Sequence, residues 1–106
     1  DNGIAFYKAN KNNKEYYILE DELILSGYHF LKNDNFDEAI KIFKLATETF
    51  PNKYNTHHSY AEGLMKIGKN IEALTSYRKS LKLNPNNGRA ARMIEKLEKE
   101  LKNNKG

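Results

Sequence analysis

At 106 residues the chain is long enough for one compact domain and too short for two. Hydrophobic residues make up 39% and charged residues 30%, and no apolar run approaches the ~20 residues of a membrane span. The absence of cysteine excludes disulfides, thiolate zinc sites and thiol catalysis, and a formal charge of +4 falls short of a nucleic-acid footprint.

The first residue is Asp1 rather than Met, and no secretory leader is expected from these residues. The sequence therefore reads as a domain of a longer protein, whose upstream part would decide between a cytoplasmic and an exported address. Gly3 to about Asn10 is expected to form a half-repeat helix, and Asn12-Asn13-Lys14 a loop. Tyr16-Tyr17-Ile18-Leu19 is apolar but has no assigned place. Glu20-Asp21-Glu22 suits a helix start, because acidic side chains favour the positive end of the helix dipole.

A first helix is expected from about Asp21 to Lys32, with Leu23, Gly27, Phe30 and Leu31 as its apolar and small positions. Asn33-Asp34-Asn35 is rich in turn formers. A second helix follows from about Phe36 to Phe50, with Phe36, Ala39, Ile40, Phe43 and Ala46 at helical spacing. Pro51 stops it, since proline cannot continue the hydrogen-bond ladder. The pattern then recurs. Tyr60, Ala61, Leu64 and Ile67 mark a helix, Gly68-Lys69-Asn70 a turn, Ile71, Ala73, Leu74, Tyr77 and Leu81 a further helix, and Pro85 its end. Gly88 to about Asn103 forms a last helix, with Ala90, Ile94, Leu97 and Leu101 on one stripe and charged pairs at four-residue spacing.

The repetition has a fixed period. Gly27 aligns with Ala61, Leu31 with Met65, Ala39 with Ala73, Phe43 with Tyr77 and Pro51 with Pro85, every pair separated by the same interval. Small residues at 27, 39, 61 and 73 would let antiparallel helices approach to ~8–10 Å between axes, with Phe43 and Tyr77 filling the space between successive hairpins.

These residues resemble the tetratricopeptide repeat family. The runs Leu23…Gly27…Phe30…Phe36…Ala39…Phe43…Ala46…Pro51 and Tyr60-Ala61…Leu64…Gly68…Ala73…Tyr77…Pro85 follow its pattern, with Leu23 and His57 in place of the usual early Trp and Ser80 in place of the last Ala. The resemblance implies an all-α fold in which helix hairpins stack as a short right-handed superhelix closed by a capping helix. It divides the chain into a lead-in at 1–19, one repeat at 20–53, a second at 54–87, and a cap and tail at 88–106. A narrower resemblance rests on Glu22-Leu23…Ser26-Gly27-Tyr28 and Asn84-Pro85-Asn86. It is to the short repeat tail of some bacterial serine β-lactamase-like and esterase-type hydrolases.

In this family the first helix of each pair lines a concave face where peptides bind. The resemblance therefore implies a groove formed by Tyr28, Lys32, Asn55, His58, Glu62, Met65, Lys66, Arg89, Arg92 and Lys96. Its occupant would be a protein or peptide carrying acidic groups, which arginine can hold through forked hydrogen bonds. A structural or self-associating role that braces an upstream domain, as monomer or weak dimer, is the alternative. Residues 87–106 carry Arg89, Arg92, Lys96, Lys99, Lys102 and Lys105 against Glu95, Glu98 and Glu100, a basic stripe that equally serves to solvate a terminal helix.

Other chemistries find little support. The family's chaperone clamp requires Lys and Asn where Ile24 and Tyr28 stand, another Asn where Ser59 stands, and a basic residue where Met93 stands. His57 and His58 are neighbours on a helix and point ~100° apart, so they do not share a metal ion. Ser76-Tyr77-Arg78-Lys79 matches a serine-nucleophile string without its companion motifs. No catalytic residue, cofactor, metal, nucleic acid or membrane span is expected.

Overall fold

A computed structural model describes residues 14–104, and these form five α-helices with no strand among them. We number them α1 (Lys14–Lys32), α2 (Phe36–Thr49), α3 (Tyr54–Lys66), α4 (Asn70–Leu83) and α5 (Gly88–Asn104). Helices α1 and α2 form one antiparallel hairpin and α3 and α4 a second, while α5 packs on α4. The period is visible in the boundaries. Both ends of α4 lie one repeat period after those of α2, and α5 starts one period after α3.

The turns inside the two hairpins are built alike. Asp34 and Gly68 both take the left-handed conformation, with φ of 62° and 82°. In each, the next amide reaches back five residues: Asn35 N–H donates to Phe30 O (2.8 Å) and Lys69 N–H to Leu64 O (2.9 Å). This closes the open carbonyls of the helix end. The outer helices stop where the prolines require. Phe50 and Asn84 cap α2 and α4 by donating to Ala46 O and Ser80 O, and Pro51 and Pro85 follow directly.

The start of α1 differs from the expectation. It begins at Lys14, so Lys14 is helical rather than looped and Tyr16-Tyr17-Ile18-Leu19 belongs to the helix. Glu20-Asp21-Glu22 lies well inside it, and Glu20 is buried. Burial raises the Glu20 carboxyl above its ordinary range, which the positive charge of Lys53 partly opposes. The expected half-repeat helix at Gly3–Asn10 lies outside the described residues.

The core is a line of small residues with aromatics between them. Ala39, Ala46, Ala61, Ala73 and Ala90 are fully buried, and Phe43, Phe50, Leu64, Tyr77 and Leu97 are nearly so. Each of these larger side chains contributes about 1.5–3 kcal/mol of burial. Phe43 shows why the small positions matter. A Cβ on Gly27 of α1 would stand 2.6 Å from its Cδ1, and a Cβ on Gly63 of α3 would stand 3.0 Å from its Cδ2. The ring is thus clamped between two helices by two missing methyl groups, with Tyr28 edge-on to it at 5.1 Å.

Candidate partner-binding groove

The inner helices α1, α3 and α5 stand side by side, so that positions one period apart in α1 and α3 face each other. Tyr28 and Glu62 are such a pair, and the Tyr28 hydroxyl donates to Glu62 Oε1. Arg89 of α5 reaches Glu62 from the other side, with Nη2 3.1 Å from Oε2. One carboxylate therefore ties all three inner helices together. Its side chain is only 20% exposed, whereas that of Arg89 is 69% exposed. The pair is anchored at the floor and open at the lip.

His58 lies one turn before Glu62 on α3, and a polar chain orients its ring. Asn87, just before α5, accepts Ala90 N–H at its Oδ1 (3.2 Å) and so caps that helix. Its Nδ2 donates to Ser80 Oγ (3.1 Å) and faces His58 Nδ1 at 3.1 Å. Ser80 Oγ donates in turn to Tyr54 O (3.0 Å). Because Asn87 supplies the hydrogen, His58 Nδ1 must accept it, and the ring proton sits on Nε2, 3.8 Å from Glu62 Oε1. Burial lowers the His58 pKa; Glu62 works against that shift and Arg89 with it. The ring also stands edge-on to Tyr77 at 5.4 Å. Burial pushes the Tyr77 hydroxyl up to about 12, and burial with the Glu62 hydrogen bond pushes Tyr28 higher still. Both phenols stay neutral donors at any ordinary pH.

Above this polar floor lies a groove of about 320 Å³ lined by Tyr28, Leu31, Glu62, Met65, Lys66, Tyr77, Arg89 and Met93. A second depression, about 350 Å³, sits between α1 and α3 and is lined by Asp21, Ile24, Leu25, Tyr28, Asn55, His58 and Ser59. Five of the expected groove residues thus meet in the first cavity: Tyr28, Glu62, Met65, Lys66 and Arg89. Asn55 and His58 line the second beside Tyr28. Lys32 lines neither, and Arg92 and Lys96 lie with Glu95 and Lys99 along another shallow face of α5. Leu31, Tyr77 and Met93 are groove residues absent from the expected set. Met93 is four residues after Arg89 and shares its face, a spacing visible in the sequence. Tyr77 reaches the groove from an outer helix, which inner-helix periodicity does not point to.

Among the described residues no cluster of three His, Cys, Asp or Glu side chains could hold a metal ion. His57 instead places Nε2 2.7 Å from Pro51 O. No described helix is long and apolar enough to cross a membrane.

The tetratricopeptide repeat profile matches residues 55–87. Among solved structures, that of a point mutant of MamA is similar, with a TM-score of 0.65 and 23% identity over 93% of this chain and 80% of that one. The fold is a tetratricopeptide-type helical repeat. Among curated proteins none matches the sequence. Repeats of this type generally mediate protein–protein interaction. Neither match lends support to the hydrolase-tail resemblance.

Proposed function

We propose that the chain is a non-catalytic protein-interaction module that takes a peptide or protein surface into the groove between α1, α3 and α5. The observation that carries this reading is the make-up of that cavity. Two adaptable methionines, Leu31 and two tyrosines surround a floor whose polar groups are already paired. A site built this way offers apolar contact and holds its fixed charges in place. Arg89 is engaged by Glu62, so an acidic partner group would find Lys66 as the cation on the groove wall without an ion pair among the described residues. The expected ligand is an extended or helical segment with a long apolar side chain for the cavity and a carboxylate at its edge.

The chain contains two methionines, and both line this groove. A displayed random-peptide library would be selected against the domain, and the enriched peptides titrated into protein carrying ¹³C-methyl methionine. The reading predicts that both methyl resonances shift and that Met65→Lys abolishes binding while preserving the helical circular dichroism. Enriched peptides that move neither methyl resonance, or that bind Met65→Lys equally well, would rule the groove out.

A further inference from the structure

Helices α1, α3 and α5 carry equivalent faces, one repeat period apart, on the side that points toward the start of the stack. In α3 the face is Thr56, Ser59, Tyr60 and Gly63; all are buried except Tyr60, which is half-buried. In α5 it is Ala90, Met93, Ile94 and Leu97, again all buried or half-buried. In α1 the same positions are Glu22, Leu25, Ser26 and His29, and all four are exposed. Leu25 is 68% exposed, against 3% for Ser59 at the equivalent place. A leucine so exposed, on a face that is covered twice elsewhere in the same chain, is a contact left unfilled among the described residues.

We propose that this face pairs with itself in a second copy of the chain, α1 against α1 in antiparallel orientation, giving a closed two-fold dimer. The four positions follow the i, i+3, i+4, i+7 spacing of a helix contact stripe. An interface of this symmetry must be self-complementary, with residue i meeting j and j meeting i. A two-fold axis passing between Leu25 and Ser26 meets that condition. It sets Leu25 over the partner's Ser26, where the small side chain admits it, and Glu22 opposite the partner's His29. Carboxylate meets imidazole at both ends of the contact, and the leucines fill its centre. Head-to-tail stacking offers no such match. The far side of α5 presents Ala91, Glu95, Glu98 and Lys102, all exposed, with no apolar side chain large enough to receive Leu25.

One helix against one helix buries less than the ~1,200 Å² of a standard interface, so the dimer is weak, with Kd on the order of 0.1–1 mM. The test is sedimentation equilibrium of the full chain without ligand, over roughly 10 µM to 1 mM. The mass should rise from 12.3 kDa toward twice that value and stop. Leu25→Asp, at an exposed site, should remain monomeric with unchanged circular dichroism. Glu22→Lys and His29→Glu should each weaken association by about threefold to tenfold, since each change alters two symmetric pairs. The double variant E22K/H29E should recover it, because the charges are exchanged rather than lost. A constant monomer mass would overturn the proposal. So would growth past two chains, association that survives Leu25→Asp and so lies elsewhere, or a double variant as weak as the single ones.

Discussion

Helices α1 and α5 occupy equivalent positions at opposite ends of the described stack, and they differ in which face has been altered. Toward the partner of its own hairpin, α1 keeps Gly27 buried and Phe30 half-buried, as α3 keeps Ala61 and Leu64 buried. At those two places α5 has Glu95 and Glu98, both exposed, and Glu98 Oε2 sits 2.5 Å from Arg78 Nη2 of α4. Charge stands there where a packing surface for a further helix would have been. The exit end of the repeat is thus closed by substitution at the two residues that would otherwise invite another helix. Among the described residues the outward face of α1 received no such treatment. Glu22, Ser26 and His29 are polar there, but Leu25 remains. In a solenoid the terminal faces decide where the array stops, and here one end stops in the sequence itself.

The contrast can be broken by moving residues between equivalent positions. Ala61→Glu puts the residue of the closed end into the middle of the stack, where the side chain is fully buried. Burying an unpaired carboxylate should cost more than about 3 kcal/mol, and urea denaturation should find the variant largely unfolded. Gly27→Ala is next in size. The new methyl group would collide with a Phe43 ring that Gly63 prevents from backing away. Overpacking should outweigh the helix-propensity gain of ~1 kcal/mol and leave a net loss of about 1–2 kcal/mol. A fall in the denaturation midpoint without a change in slope would confirm it.

Acidification should act on the exit end. The folded His58 pKa is lowered, chiefly by burial, from an unfolded value near ~6.5. The unfolded chain therefore binds the extra proton first. The contribution of His58 is fully present above about pH 6.5 and is lost as pH falls through and below that value. Protonation also puts hydrogen on Nδ1, where Asn87 already donates. Thermal melts of the wild type and His58→Gln should therefore diverge less as pH is lowered from about 7.5 to about 5. Parallel curves would show that the ring is not held neutral by the fold. The smallest effect belongs to Glu95→Ala, at an exposed site on the closed end. Stability should change by no more than about 0.5 kcal/mol in calorimetry, in contrast with the Ala61 variant at the equivalent place.

Much of this architecture can be read from the chain because a repeat reports each boundary more than once. Pro51 and Pro85 mark two helix ends one period apart, and the turns at Asp34 and Gly68 share that spacing. The start of α1 had no second copy to consult. The period places it at Glu20, where acidic residues suit a helix start, yet the helix continues back to Lys14 and Glu20 is packed within it. At the groove, periodicity located the inner helices but not their convergence on Glu62. Tyr28 and Glu62 could have been paired from their separation of one period. His58 lies one turn before Glu62 on the same helix, a spacing the sequence shows, whereas Arg89 joins them only through the angle at which α5 meets α3, which no spacing encodes. Ser80 looked like a departure from the repeat pattern. It is fully buried, and its hydroxyl links Tyr54 to Asn87, a task alanine could not perform.

Phe43 has a wider consequence. Solenoids behave approximately as one-dimensional arrays in which each unit is stabilised by its neighbours, so the coupling between units sets whether they melt together or separately. One aromatic ring, lodged against glycines in both α1 and α3, is shared by the two hairpins. Its ordering is the same event for both. Amide exchange along α1, α2 and α3 should accordingly report a single opening free energy, while α5, held from outside this junction, frays independently.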